Sequence, residues 1–88
     1  MAKVTGFIEC GRENTPHRPP AERVRDWHEV QADPSVEDVK KQAARCMDCG
    51  IPFCNNGCPL GNIIPDWNDF AYRDKWQDAL ARLHSTNN

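Results

Sequence analysis

No stretch of this chain approaches the ~20 consecutive apolar residues that a helix needs to cross a bilayer, so a membrane span is excluded for these 88 residues. The start, Met-Ala-Lys-Val-Thr-Gly-Phe-Ile, lacks the apolar core and small-residue cleavage site of a secretory leader, and a cytoplasmic setting is expected. Charge of one sign is missing too. Eleven basic side chains stand against 13 acidic ones, which leaves no basic footprint for RNA or DNA. The dinucleotide fingerprint G-x-G-x-x-G is absent. The three histidines, His17, His28 and His84, have no second ligand at i+3 or i+4; His17 and His84 are expected in solvent and His28 half-buried. No spacing of Ser, His and Asp suggests a nucleophile with its base, so no catalytic residue is assigned. There is no internal repeat and no low-complexity tract.

Cysteine, by contrast, is concentrated. Four of the five lie on one short stretch as Cys46-x2-Cys49-x4-Cys54-x3-Cys58, with Pro59 directly after the last. Five thiols cannot all pair within one chain, and a reducing compartment keeps clustered thiols for metal or redox chemistry. Thiolates packed this densely serve a metal centre. Cys10 stands far upstream with no cysteine neighbour and reads as an ordinary semi-buried thiol. At 88 residues with seven prolines, a hydrophobic core alone gives marginal stability. Metal binding would add folding energy.

Around the cysteines the pattern is mainly helical. Lys3 to Cys10 (KVTGFIEC) has the β-branched and aromatic content of a short strand, with Val4, Phe7 and Ile8 placed to lie on another domain or subunit. Pro16, Pro19 and Pro20 make an extended arm. Ala21 to Val30 reads as a short helix with Val24, Trp27 and His28 on one stripe. Asp33 as N-cap and Pro34 at the first helical position begin the next helix. Val36, Val39, Ala43 and Cys46 share one of its faces, so this helix delivers Cys46 to a fixed place. Gly50 to Gly61, with three glycines and two prolines, is expected to be irregular. Its Ile51, Phe53 and Leu60 are expected to shield what the thiols hold. Pro65 begins a helix through Tyr72 with Ile63, Ile64, Trp67 and Phe70 facing inward. Asp74 and Gln77 form a capping-box pattern for the last one, on which Trp76, Ala79, Leu80 and Leu83 recur at helical spacing. The three tryptophans read as core packing. Arg45, beside the first thiol, balances the charge of a thiolate-ligated group or is a solvated helix-end cation; both readings stand.

The spacing of the four thiols itself admits two metals. Zinc accepts four thiolates in a closed tetrahedral site. Iron–sulfur ligation also begins with C-x-x-C, and a terminal Cys-Pro after a three-residue gap has a counterpart in bacterial ferredoxins, where the last cysteine serves the other cluster. Here the middle gap is four residues rather than two. Zinc knuckles bring basic and aromatic contacts for nucleic acid, whereas residues 46–64 carry Asp48 as their one charged side chain besides the thiols. That context leans toward iron.

The longer string is more specific. Ala44-Arg45-Cys46-Met47-Asp48-Cys49-Gly50-Ile51-Pro52-Phe53-Cys54, Asn56-Gly57-Cys58-Pro59-Leu60-Gly61-Asn62 and Ile64-Pro65-Asp66-Trp67-Asn68-Asp69 closely resemble the N-terminal iron–sulfur domain of glutamate synthase small (beta) subunits. The same domain type occurs at the N-terminus of dihydropyrimidine dehydrogenase. A looser resemblance extends through Gly6-Phe7, Arg18-Pro19 and Glu22-Arg23, and continues at Leu83 to Asn88. It implies an α-helical ferredoxin-like domain: about four short helices around a Cys-rich loop, with residues 1–33 as an arm and short helix. Residues 34–88 would be the N-terminal part of the [4Fe–4S] domain. By resemblance Cys46, Cys49 and Cys54 bind one cluster and Cys58 a second. The remaining ligands belong to a later cysteine-rich segment, and the FAD and NADPH domains also lie outside these residues, so a truncated piece of a longer subunit with an incomplete ligand set is expected.

The resemblance further implies a relay of electrons from NADPH through FAD and the clusters to FMN on the large (alpha) subunit. There 2-oxoglutarate and glutamine-derived ammonia become glutamate. The alternative is a small four-cysteine zinc-binding interaction module. On either reading Cys49→Ser should abolish metal incorporation while Cys10→Ser leaves it intact, as measured by metal analysis of the purified variants. Equal loss in both would mean that the ligands are misassigned.

Overall fold

A computed structural model describes residues 3–87; the outermost residues of the two expected segments, 1–2 and 88, lie outside them. The described residues form six helical segments: α1 (Gly6–Glu9), α2 (Pro20–Arg23), α3 (Val36–Ala43), α4 (Phe53–Gly57), α5 (Ile64–Tyr72) and α6 (Trp76–His84). The fold is mainly α, as expected. The one β-type pairing among the described residues is an isolated antiparallel bridge between His17 and Gln31.

Each longer helix has a local cause. Ser35 is extended at φ −69°, ψ 154°, and its Oγ accepts the Asp38 N–H at 3.2 Å to cap α3. Glu37 and Asp38 in the first turn and Lys40 and Lys41 in the last complement the helix dipole. The start therefore falls later than the expected Asp33-Pro34. Ser35 supplies the cap instead, its hydroxyl taking the N–H three residues on. The α5–α6 hairpin turns on Asp74, at φ 65°. The Lys75 N–H donates to the Phe70 carbonyl at 2.8 Å and the Asp74 N–H to that of Ala71 at 3.2 Å, the bonding pattern of a left-handed helix C-terminus. Asp74 thus closes α5 instead of capping α6, and its Oδ1 accepts the Trp76 indole N–H at 2.7 Å.

Two expected elements are replaced. Lys3 to Cys10 is a helical turn rather than a strand: Ile8 and Glu9 donate to the Thr5 carbonyl at 3.0 Å, and Cys10 to Gly6 at 2.9 Å. A lone strand would leave its backbone groups unpaired, whereas a turn satisfies them locally. Val4, at 70% exposure, and Ile8, at 71%, still face outward.

The helix expected from Ala21 to Val30 ends at Arg23. Arg18 gathers the segment beyond it. Its Nη2 meets Asp26 Oδ2 at 2.6 Å, and its Nη1 donates to Asp26 Oδ1 at 3.2 Å and to the Glu29 carbonyl at 3.0 Å. The Arg18 hydrogen bond, helped by the His28 N–H, holds the Asp26 carboxyl below its ordinary range. With the chain turned this way, Val24 and Trp27 are exposed and His28 is exposed rather than half-buried. Trp27 is therefore not core.

The buried centre consists of small residues. Ala43, Ala44 and Ala71 form it, with Gly6, Pro65 and the polar Asn62. The arm is clamped to α3 by Gln42, whose Nε2 donates to the Gly11 carbonyl at 3.0 Å and whose Oε1 accepts from the Glu13 N–H at 3.2 Å. α5 packs on both α3 and α6. A Cβ on Gly6 would overlap the Ala44 carbonyl oxygen, so α1 lies backbone to backbone on the end of α3. Gly6→Ala is expected to destabilise the fold by about 1–3 kcal/mol, read as a lower denaturant midpoint at unchanged slope. A midpoint equal to wild type would mean that this contact does not form in solution.

Candidate metal centre

Residues Cys46 to Cys58 form a loop strung between the end of α3 and the start of α5. Cys46 lies three residues past the last of α3, its N–H donating to the Ala43 carbonyl at 3.2 Å, and is half-buried. Asp48 then turns the chain at φ 50°, a left-handed conformation that Asp tolerates better than most residues. Cys49 is exposed. The stretch expected to be irregular contains α4, which carries Cys54 on its second residue, also exposed. Pro52 explains the helical turn: it precedes the first helical residue, where a missing N–H costs nothing, and its carbonyl accepts from the Asn56 N–H at 3.0 Å. Asn55 Oδ1 reaches across to accept the Ile64 N–H at 3.2 Å, capping α5 from the loop.

Cys58 has the most developed surroundings. The backbone N–H groups of Asn62 and Leu60 favour its thiolate most, with smaller help from the Asn62 side chain and the Gly61 N–H. Led by the Asn62 N–H, they hold the Cys58 thiol below its ordinary pKa against the opposing effect of burial. Pro59 suits the second position of this turn, which the Gly61 N–H closes on the Cys58 carbonyl at 3.0 Å with Gly61 at φ 67°. Asn62 is buried at 7% exposure, and its Oδ1 accepts the Thr86 hydroxyl at 2.6 Å. The end of α6 is thereby tied to the Cys58 turn. Thr86 was not singled out as a contributor to the site; the one signal for it is the polar Asn62 within the apolar run Leu60 to Ile64.

All five cysteines are free thiols, and Cys10 is half-buried, as expected. The four loop cysteines share one segment, yet among the described residues no three His, Cys, Asp or Glu side chains gather around a single ion position. Ile51, Phe53 and Leu60 do not cover the thiols as expected. They are 66%, 79% and 56% exposed. Trp67 and Phe70 are half-buried on α5, and His17 and His84 are exposed.

One feature suits a thiolate-ligated group: the Asn62 and Leu60 N–H groups favour the ionised form of Cys58. The arm, α3 and α5 bound a cleft of about 730 Å³, and an apolar groove of about 370 Å³ runs between α5 and α6 along Trp67, Trp76, Leu80 and Leu83; neither includes a cysteine.

A small helical domain with four cysteines spaced closely on one tight loop fits the iron–sulfur class. Residues 23–88 match the family described as dihydropyrimidine dehydrogenase domain II, 4Fe-4S cluster, and the chain belongs to that family. Over its full length it is 54% identical to the glutamate synthase [NADPH] small chain of Mycobacterium tuberculosis, covering 18% of that protein. It is 50% identical to the small chain of Bacillus subtilis, covering 20%. With the glutamate synthase [NADH] of Saccharomyces cerevisiae it shares 47% identity, across 4% of that protein. The chain thus spans about a fifth or less of the length of these relatives.

Thr86→Val leaves the buried Asn62 oxygen without its donor, a loss of about 1–3 kcal/mol. The expected result is faster alkylation of Cys58 in the metal-free protein, followed by mass spectrometry, with the rate at Cys10 unchanged. An unaltered Cys58 rate would show that α6 does not support the turn.

Proposed function

We propose that this chain is the iron–sulfur electron-transfer part of an NADPH-dependent glutamate synthase small subunit. On this reading Cys46, Cys49 and Cys54 hold one [4Fe–4S] cluster and Cys58 contributes to a second. Residues 34–88 form the N-terminal part of the cluster domain and residues 1–33 its arm. The observation that carries the reading is the family match over residues 23–88, which include the four closely spaced cysteines, beside a Cys58 thiol that hydrogen bonding holds below its ordinary range. Donors of this kind stabilise a thiolate and set the potential of a sulfur-ligated iron centre.

A [4Fe–4S] group, when bound, takes up and releases single electrons. The chain's own residues provide the thiolates, offset their negative charge and hold the loop. The Asn62–Thr86 hydrogen bond fixes the Cys58 turn against α6, and the Asn55 cap fixes α4 against the start of α5. No residue here is assigned acid, base or nucleophilic chemistry. FAD and NADPH belong to other parts of the parent protein, and the large subunit, with its FMN, is the partner toward which the relay runs. The setting is cytoplasmic. Glutamate formation itself is assigned to the large subunit.

Anaerobic reconstitution with iron and sulfide tests this directly. The expected product is brown, contains iron and acid-labile sulfide, and loses its visible absorption on dithionite reduction with the appearance of an electron paramagnetic resonance signal. A colourless protein that binds zinc and refuses iron would overturn the proposal in favour of a zinc-binding interaction module.

A further inference from the structure

Alone among the asparagines of this chain, Asn56 is followed by glycine, and the pair stands two residues after Cys54 and two before Cys58. Asn56 and Gly57 are both exposed. A Cβ on Gly57 would meet nothing, so the space beside its backbone nitrogen is open. Neighbouring amides are held. Asn55 Oδ1 accepts the Ile64 N–H at 3.2 Å. Asn62 is buried on Thr86 and precedes the β-branched Ile63.

Helix α4 is what keeps the Gly57 nitrogen away from the Asn56 side-chain carbonyl. It has five residues, none of them buried, and no side-chain cap. A single turn without buried contacts opens readily, because its nucleation is costly and no packing offsets that cost. Gly57 at its end adds backbone freedom. We propose that Asn56–Gly57 is a self-modification site at which the metal-free loop loses the Asn56 amide. In the opened turn the Gly57 nitrogen attacks Asn56 Cγ. The N–Cγ bond forms, the Cγ–Nδ2 bond breaks, and the Gly57 proton departs with the amide as ammonia. The cyclic imide then takes up one water at either carbonyl, leaving an aspartyl or an isoaspartyl residue at position 56. No oxidant or reductant is involved. The product sets a carboxylate between two thiols, and the isoaspartyl form lengthens the backbone from Cys54 to Cys58 by one carbon. Protection by metal rests on the iron–sulfur reading above: ligation at Cys54 and Cys58 holds α4 from both sides, so the loaded protein is spared and the empty one ages.

The test follows the metal-free chain at mildly alkaline pH by peptide mass spectrometry, with Asn55 as the internal reference. Asn56 is expected to convert to both aspartyl and isoaspartyl products while Asn55 persists. Gly57→Ala has room for its methyl group and stiffens the turn, so its conversion should be about fivefold slower or more. Iron-reconstituted protein should convert about tenfold slower or more, because a group that binds the closed turn opposes its opening. Persistence of Asn56 alongside Asn55, an aspartyl product alone, or a wild-type rate in Gly57→Ala overturns the proposal. An iron-loaded protein that converts at the metal-free rate overturns the protection. A chain that takes up no iron and sulfide is a different result. It removes the iron–sulfur reading, and the metal-free comparison still decides the modification.

Discussion

The geometry of the cysteine loop depends on one close approach, the backbone of Gly6 lying on the Ala44 carbonyl. That contact leaves no room for a side chain, and it occurs at the residue that caps α3. Because Arg45 and Cys46 follow at once, the place where α1 seats on α3 also determines where the first thiol emerges. Gln42, one turn earlier, draws the next part of the arm onto the same helix. The N-terminal segment is therefore part of the support for the site, although it contributes none of the proposed ligands.

The centre of this fold is made of alanines, a glycine, a proline and an asparagine, and no large side chain among the described residues is fully buried. Small residues allow α3 and α5 to come close, but they remove little apolar area from water, so their contribution to stability is modest. Larger apolar groups stand at the surface instead: Ile51, Phe53 and Leu60 on the loop, Trp76 and Leu80 on α6. Cohesion from thiolate ligation suits such an arrangement, because metal binding and folding draw on the same free energy. Polar links do the precise positioning. The Thr86–Asn62 bond and the Asn55 cap each tie the loop to a helix that lies apart from it in sequence.

Sequence reading succeeded where residue chemistry is local. α5 begins as Pro65 suggested, and the mainly helical class follows from hydrophobic spacing that the structure retains on α5 and α6. It failed where a distant partner decides. Lys3 to Cys10 has strand composition, but the described residues hold no second strand for it to join, and Gly6 finds Ala44 instead. Trp27 sits on a helical stripe in the sequence, yet the Arg18–Asp26 pair pulls that segment out of helix and leaves the indole in solvent. Asp74 looks like a cap for the helix after it, but the hairpin needs a left-handed residue at that point and takes the aspartate for the helix before it.

The spacing of Cys46, Cys49, Cys54 and Cys58, the scarcity of charge around them and the turn-forming Pro59 and Gly61 are properties of the chain alone. They point to a thiolate-ligated metal centre, zinc or iron, because thiol density and backbone freedom are written residue by residue. What only the tertiary structure decided is the environment of those sulfurs. Which thiols are half-buried, which stay exposed and which polar side chain anchors the turn depend on residues brought together from along the chain, as Thr86 is onto Asn62. Hydrogen bonding and desolvation are set by spatial neighbours, and spacing in sequence does not specify them.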